Sequence, residues 1–353
     1  MRGSQILICG HRLRSHDCSL ALRGSLLPKC LLYDRTTSKA NVAAAAFNRC
    51  SREFPHAGGG KRLHEENPSD IQLGGSLKKK FLANLYLILA DYGRGEFPPV
   101  RPPREEAFQG ERTQYTRINF SNQDQIFEEA MRKPWGNRRL FPQHSRELIR
   151  IIESIERRGI EPPAKLLELG CGCGWLSEIL AIRGFHVTGS TIGPVETAYS
   201  QRRIEALKVK NLNCALKFIA SPMEEIHQHV PAAHYDAAFC YEALHHVFDW
   251  RESLTAMDRV IKPGGWLFLF SEPSTLHTYI CHRSAKIWRT QEVGFRGRDL
   301  RKHLRSLGYD PIKVERPVWG DGLAALFKRF LPFTISAGSL VSRAYWISAR
   351  KRA

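Results

Sequence analysis

One short stretch of the chain combines a carboxylate with two imidazoles. Glu242 is followed by His245 and His246, directly after the apolar run 237–240. A carboxylate or an imidazole can take a proton from a substrate hydroxyl, and the unperturbed pKa of histidine suits that task near neutral pH. Adjacent histidines after a strand can equally cap the next helix and pack in the core. We identify Glu242, His245 and His246 as candidate catalytic residues.

A second stretch, 166–175, holds three glycines at alternate positions, Gly170, Gly172 and Gly174. The apolar residues before them predict a buried strand, and residues 176–182 have the spacing of a helix. Glycines let the backbone turn tightly and pass close to a ligand, and the N-terminus of the following helix offers free N–H groups. This stretch therefore predicts a binding site for a nucleotide-like cofactor.

The spacing of the glycines separates the classes of cofactor. A dinucleotide-binding turn has the pattern G-x-G-x-x-G, but here the third glycine comes one residue early. The Lys-Ser/Thr pair of a phosphate-binding P-loop is also missing after the turn. The pattern E-x-G-x-G-x-G instead resembles the first motif of class I S-adenosylmethionine-dependent methyltransferases, in particular small-molecule enzymes of the type 11/12 group. The resemblance implies S-adenosyl-L-methionine as the cofactor, with Glu168 near its methionine amino group. The implied contacts from the turn itself are Gly170, Cys171, Gly172 and Gly174.

The resemblance continues into the next two predicted strands, with two departures. The family usually has an acid for the ribose hydroxyls where this chain has Thr191. Glu196, one helical turn later, is a substitute, unless it is simply an exposed helix residue. The acid that meets the adenine amino group is replaced by Pro222, whereas Met223 suits packing on the adenine face and Glu224 is the nearest carboxylate. We expect Thr191, Met223 and Glu224 to contact the cofactor.

Two further matches follow in the family's order. The sequence E-A-L-H-H at 242–246 resembles the loop after the fourth strand, where open sheets bind ligands, and implies a cofactor contact from Tyr241. The sequence K-P-G-G at 262–265 resembles the turn before the fifth strand. The residues 343–351 fit a final antiparallel strand. The resemblance implies an α/β fold, a Rossmann-like, doubly wound, seven-stranded mixed sheet.

Composition limits the classes of function and location. The chain of 353 residues has a net charge of +18. Residues 1–110 carry 17 basic and 10 acidic residues and residues 283–353 carry 16 and 5, whereas residues 111–282 are balanced. The basic flanks suggest a weak contact with anionic surfaces, or merely a solvated surface, and give no strong nucleic-acid signal. No run approaches the roughly 18 apolar residues of a membrane span.

Cysteine usage points to a reducing compartment and predicts a cytoplasmic location. The nine cysteines lack the regular spacing of a disulfide framework. Cys171 and Cys173 form a C-x-C pair without a second pair at zinc spacing, so we predict no metal site.

We divide the chain into a basic, largely disordered extension over 1–110, with a short helix at 77–89, and a methyltransferase domain over 111–353. The domain is subdivided into a helical cover over 111–162, a cofactor-binding core over 163–282, and a C-terminal, substrate-side half over 283–353 that contains an apolar insertion at 317–342.

The resulting functional prediction is methyl transfer from S-adenosyl-L-methionine to a small-molecule or saccharide acceptor, at a hydroxyl oxygen. Three alternatives remain open. A lipid-modifying relative of the cyclopropane-fatty-acid synthase type is supported by Thr191 and the apolar insertion. A non-catalytic partner protein is supported by the two missing acids. An RNA methyltransferase would use the basic flanks and would bind with a steep dependence on salt.

Overall fold

The structure of the chain is a computed structural model that describes residues 77–117, 128, 131–135, 141–315, 333–336 and 339–353. The predicted disordered extension lies outside the described residues up to residue 76. Most of the predicted apolar insertion at 317–342 also lies outside them.

A seven-stranded sheet forms the centre of the described chain. The strands of the chain are β1 (Lys165–Leu169), β2 (His186–Thr191), β3 (Leu216–Ala220), β4 (Tyr235–Tyr241), β5 (Ile261–Pro273), β6 (Tyr309–Glu315), β7 (Phe333–Ser336), β8 (Ser339–Ser342) and β9 (Ala344–Lys351). The order in the sheet is β3-β2-β1-β4-β5-β9-β6, and β9 runs antiparallel to both its neighbours. This mixed, seven-stranded arrangement confirms the fold that the sequence predicts.

The order of strands creates a switch point beside β1. The chain moves outward from β1 through β2 to β3, and then returns to the other side of β1 with β4. Open α/β sheets bind ligands at the carboxyl ends of the strands on either side of such a point. The glycine turn follows β1 and Glu242 follows β4, so both candidate motifs lie at this edge of the sheet.

Helices cover both faces of the sheet. The helices are α1 (Leu77–Gly93), α2 (Arg104–Arg117), α3 (Phe141–Glu156), α4 (Trp175–Ile182), α5 (Pro194–Val209), α6 (Ile226–His229), α7 (Trp250–Val260), α8 (Leu276–Ile280), α9 (His282–Trp288) and α10 (Gly297–Ser306), and short 3-10 turns occupy Met223–Glu225 and Leu244–His246.

Side chains of successive strand residues enter two separate cores, as the alternation of a strand requires. Leu166 packs with α3 and α4 on one face, whereas its neighbour Leu167 packs with α7 and α10 on the other. Both leucines are fully buried, and burying one such side chain stabilises the fold by about 1.5–3 kcal/mol. The strands that carry the candidate motifs are therefore fixed from both sides.

The N-terminal helices α1 and α2 lie before or across the predicted domain boundary. The short helix predicted at 77–89 is the longer α1, and the boundary at 110/111 falls inside α2. Both helices contact the domain: Asn84 of α1 donates a hydrogen bond to the carbonyl of Tyr279, and Arg289 pairs with Glu106 of α2. The folded unit therefore includes residues from 77 onwards, which corrects the position of the boundary.

Two other elements differ from the sequence prediction. The connection after β5, for which the sequence analysis named no element, contains α8 and α9. Within the predicted insertion, β7 and β8 pair as an antiparallel hairpin.

Candidate active site

The glycine turn joins β1 to α4 with three left-handed residues. Gly170, Gly172 and Gly174 have φ angles of +68°, +52° and +73°. A Cβ atom on Gly170 would lie 2.4 Å from the Cβ of Ala243 and 2.6 Å from the Cε of Met223, so this position requires glycine for space as well as for conformation. A Cβ on Gly172 would have no heavy atom within 4 Å. The backbone of Gly172 therefore faces open space.

That open space is a cavity of about 350 Å³, which is within the usual range for small-molecule sites. It lies at the switch point and receives residues from the carboxyl ends of the strands and from α2 above them. Seven of the predicted site residues line it: Gly170, Gly172, Thr191, Met223, Glu224, Glu242 and His246. Three lining residues enter from α2 and were not predicted by the sequence analysis: Ala107, Phe108 and Glu111.

Five predicted site residues do not line this cavity. Cys171 and Gly174 are part of the turn but face away from it, and burial raises the pKa of the Cys171 thiol. Tyr241 donates a hydrogen bond from its hydroxyl to Glu147 of α3. The remaining two, Glu168 and His245, lie behind the cavity wall and are described next.

Glu168 supports the glycine turn from below. Its carboxylate is buried and accepts a hydrogen bond from the hydroxyl of Ser177, at the start of α4. Burial raises the pKa of Glu168 to about 7, because the charged form loses its water. The contact ties the end of β1 to the first turn of α4.

Glu196 is a carboxylate that reaches the cavity from the first turn of α5. It is only 5% exposed and lines the cavity beside Thr191, so the expectation of an exposed helix residue is wrong. Its Oε2 has no hydrogen-bond partner among the described residues, and burial raises its pKa to about 7. This buried oxygen is therefore a candidate binding group at the cavity.

Glu224 has its carboxylate engaged within the protein. The side chain is 2% exposed, and its Oε1 accepts a hydrogen bond of 3.0 Å from the backbone N–H of Asp249. This bond fixes the segment that leads into α7, while the residue still lines the cavity.

The two adjacent histidines have different environments. His245 does not line the cavity, and its Nδ1 lies 3.0 Å from Oε2 of the fully buried Glu272. Burial and the nearby His246 lower the pKa of His245 to about 4, so its ring is neutral. The structure therefore brings Glu242 and His246 together at the cavity, but not His245.

His246 carries a positive charge at neutral pH. Burial alone would lower its pKa, but Glu292 and Glu111 outweigh it and raise the pKa to about 10. The Nδ1 atom lies 3.5 Å from Oε1 of Glu292 and 3.6 Å from Oε2 of Glu111. The cavity thus contains an imidazolium held by acids from α2 and from the segment after α9.

Glu242 presents a carboxylate at the cavity. It follows β4 in a left-handed conformation with φ +51°, which turns the chain into the 3-10 turn. Its side chain is accessible from the cavity. Desolvation of the carboxylate by the surrounding protein, together with the carboxylates of Glu147 and Glu272, raises the pKa of Glu242 to about 8. A carboxylate with this pKa is a stronger base than an ordinary glutamate.

Two groups beside the cavity have ligand atoms close enough to hold a metal ion. They are His245, His246 and Glu292, and His277, Cys281 and Glu292, with ligand atoms within 4.8 Å of one another. In the second group, His277 uses Nε2 toward Glu292 at 2.9 Å and Nδ1 toward the Cys281 thiol at 3.7 Å. His245, His277 and Cys281 form hydrogen bonds within the protein, whereas Nδ1 of His246 has no hydrogen-bond partner among the described residues. The absence of a metal site remains a prediction.

Comparisons with known proteins agree with this geometry. A family model described as a methyltransferase domain matches residues 167–269. The ubiquinone biosynthesis O-methyltransferase of Chromobacterium violaceum is 26% identical over 217 residues, which cover 55% of this chain and 90% of that protein. The protein of the same name from Cronobacter sakazakii is 34% identical over 169 residues, which cover 48% of this chain and 63% of its own length.

A solved structure, magnesium protoporphyrin IX methyltransferase from Synechocystis PCC 6803 with bound S-adenosylhomocysteine, is 17% identical to this chain. The superposition covers 64% of this chain and 93% of the Synechocystis protein, with a TM-score of 0.46. The strand order described above identifies the fold. Together with the glycine turn and the strand order, the family match on residues 167–269 identifies a methyltransferase domain in this chain, with S-adenosyl-L-methionine as its cofactor.

Proposed function

We propose that this methyltransferase transfers a methyl group to a hydroxyl oxygen of a small molecule. The observation that carries the proposal is that Glu242 and His246 line the same cavity as Gly170 and Gly172. A proton acceptor and a cation thus stand beside the turn that approaches the cofactor. The O-methyltransferase names of the relatives from C. violaceum and C. sakazakii support the same type of acceptor.

The residues of the cavity fit S-adenosyl-L-methionine. Gly172 leaves space for a ligand against the backbone, and the unpartnered Oε2 of Glu196 suits a ribose hydroxyl. Thr191 adds a hydroxyl on the same side, and Met223 offers an apolar face for adenine. When bound, the cofactor supplies a methyl group that its sulfonium already activates. The carboxylate of Glu196 takes the place of the acid missing at Thr191, which argues against a degenerate, non-catalytic protein.

The residues at the end of β4 supply the chemistry that the acceptor needs. Glu242 takes the proton of the hydroxyl, and the imidazolium of His246 stabilises the negative charge that develops on the oxygen. Because the glycine turn and the acceptor-side residues line one cavity, the cavity can align the acceptor with the cofactor. His245 and Glu272 act behind the wall, where they hold the turn that presents both groups.

The lining of the cavity favours an aromatic or largely apolar acceptor over a saccharide. Ala107 and Phe108 enter from α2, and Val247 and Phe248 follow the 3-10 turn. The rings of Phe108 and Phe248 meet edge to face, with centroids 6.4 Å apart. A sugar would need more polar partners than these residues offer, because each of its buried hydroxyls requires a hydrogen bond. We therefore propose a phenol-like hydroxyl as the acceptor.

Calorimetric titration of the full chain with S-adenosyl-L-methionine tests the cofactor site. We expect Gly172→Ala to weaken binding at least about tenfold, because the new Cβ enters the cavity and the residue keeps φ +52° only with strain. Gly308→Ala is the matched control: Gly308 also has a left-handed φ and open space, but lies outside the cavity. Equal affinity in both variants would contradict the assigned site.

Methyl transfer itself is tested with catechol and simple phenols as acceptors and S-adenosylhomocysteine release as the readout. Release with phenols, but not with matched anilines or thiophenols, is the expected result. Transfer only to nitrogen or sulfur, or none despite cofactor binding, would overturn the proposed acceptor class.

Glu196→Gln is expected to weaken cofactor binding by about 10-fold or more, since a hydrogen bond to a charged group contributes about 1.5–3 kcal/mol. The cofactor binds the deprotonated carboxylate, and the pKa of Glu196 without cofactor is about 7. The affinity of the wild type should therefore rise as the pH increases through 7 and level off above it. The variant should lose this pH dependence. Glu205→Gln, at an exposed position of the same helix, is the control. If Glu196→Gln kept the pH dependence of the affinity, a group other than Glu196 would be responsible for it.

A further inference from the structure

Helix α1 attaches to the domain through its polar residues. Asn84 donates to the carbonyl of Tyr279 at 2.6 Å and accepts from the backbone N–H of Arg283 at 2.9 Å. Asp91 is 1% exposed and lies 2.7 Å from Nε2 of His282 and 2.6 Å from Nζ of Lys286. These two anchors, seven residues or two turns apart, fix which side of α1 faces the protein.

The opposite side of α1 is apolar and faces outward. Phe81, Tyr86 and Leu89 are 56%, 76% and 62% exposed. We call the outward face the α1 stripe; its residues are Phe81, Leu82, Leu85, Tyr86, Leu89 and Tyr92. A helix on the surface of a globular protein normally has the reverse arrangement, with apolar residues inside. A contiguous exposed apolar patch of this kind marks an interaction surface.

Charge indicates what the α1 stripe binds. Lys78, Lys79 and Lys80 lie in the first turn of α1. The single acid of the helix, Asp91, is buried against His282 and Lys286 of α9 and is not part of the stripe. The occupant must therefore combine apolar character with negative charge. A second copy of this chain, with a net charge of +18, does not supply that charge.

We propose that the α1 stripe docks on an anionic lipid surface. Leucine and aromatic side chains enter the boundary between headgroups and acyl chains, and lysines next to them attract anionic headgroups. Tyrosine suits this position because one end of its ring is apolar and the other forms hydrogen bonds. Among the residues that the structure describes, no helix is long and apolar enough to cross a bilayer. At 17 residues, about 25 Å, α1 lies along the surface instead.

Co-sedimentation of the full chain with lipid vesicles tests this proposal. The chain should bind vesicles of phosphatidylcholine mixed with phosphatidylglycerol, and bind vesicles of phosphatidylcholine alone much more weakly. Leu89→Glu is expected to weaken binding to the mixed vesicles by about tenfold or more, because an acid replaces an inserted apolar side chain. Replacing Lys78, Lys79 and Lys80 together with glutamine is expected to weaken it by about 100-fold at low salt, at about 1 kcal/mol for each lysine.

Ile149→Glu is the matched control, because Ile149 is 56% exposed on α3, away from the α1 stripe. It should bind vesicles like the wild type, and all variants should bind S-adenosyl-L-methionine normally, which shows that they fold. Equal binding to both kinds of vesicle, or equal losses in Leu89→Glu and Ile149→Glu, would overturn the proposal. It is also overturned if Leu89→Glu breaks a dimer in solution, or if the α1 stripe is shielded without vesicles in hydroxyl-radical footprinting, because another part of the protein then covers it.

Discussion

Glu242→Gln is expected to lower the rate of methyl transfer to a phenolic acceptor by about 10²–10⁴-fold, the usual contribution of a positioned general base. Glutamine keeps the size and the hydrogen-bonding oxygen of the side chain but cannot take a proton. The affinity for S-adenosyl-L-methionine should change little, because Glu242 belongs to the acceptor side of the cavity. Single-turnover rates with saturating cofactor separate the two effects.

The pH profile of the wild type gives a second readout of the same residue. Glu242 is active when deprotonated and has a pKa of about 8, so kcat/KM should rise with pH through that value. His246 is active when protonated and has a pKa of about 10, so the rate should fall above it. Glu242→Gln should lose the rising limb and keep the falling one.

Glu225→Gln is the control for Glu242→Gln, because Glu225 follows the cavity residue Glu224 but does not itself line the cavity. Its rate and pH profile should match the wild type. If Glu242→Gln kept both the rate and the rising limb, Glu242 would not be the base, and the ionisation of the acceptor itself would account for the limb.

The cofactor half of the site was predictable from local sequence. A strand followed by alternating glycines specifies both the turn and the ligand that needs it, and the spacing places Gly170 and Gly172 without knowledge of the rest of the chain. Thr191 and Met223 follow from the ends of the next two strands, since the carboxyl ends of parallel strands share one edge.

The acceptor half of the site depends on tertiary contacts that local patterns do not contain. Glu111 reaches the cavity from α2, which sits more than 100 residues before the 3-10 turn at 244–246 and was divided by the predicted domain boundary. Glu292 follows α8 and α9, two helices that the sequence analysis did not name. These acids raise the pKa of His246, and neither contact is visible from the local sequence.

Tertiary contacts also explain two further differences between the sequence analysis and the structure. Glu196 is in the first turn of α5, and only the placement of that turn over β2 buries it at the cavity. His245 and His246 are adjacent in sequence and their ring centroids lie 4.1 Å apart, but their imidazoles contact different carboxylates. His245 contacts Glu272, a buried acid at the end of β5 that the sequence analysis did not consider.

Glu272→Ala is expected to lower the free energy of unfolding by about 3–5 kcal/mol, as the loss of one partner does in a buried charged network. The Glu272 carboxylate accepts the backbone N–H groups of Ala243, Leu244 and His245 at 3.0, 2.9 and 3.2 Å. Burial alone would raise the pKa of Glu272, but these bonds and the His245 ring hold it below its usual value. Removing the carboxylate leaves three buried donors without a partner. Denaturant unfolding at neutral pH measures the loss.

Glu272→Gln separates folding from positioning. Its remaining carbonyl oxygen can still accept the N–H groups of Ala243 and Leu244, but its amide cannot accept that of His245. We therefore expect an intermediate stability and a kcat that falls more than the affinity for S-adenosyl-L-methionine, because the turn that carries Glu242 and His246 shifts while the glycine turn remains. The lowered pKa also means that the contribution of Glu272 is present above the unfolded value near 4.3 and is lost as pH falls through the folded value. A wild-type unfolding free energy that did not change below pH 4, together with an unchanged kcat in Glu272→Gln, would show that this carboxylate does not hold the turn.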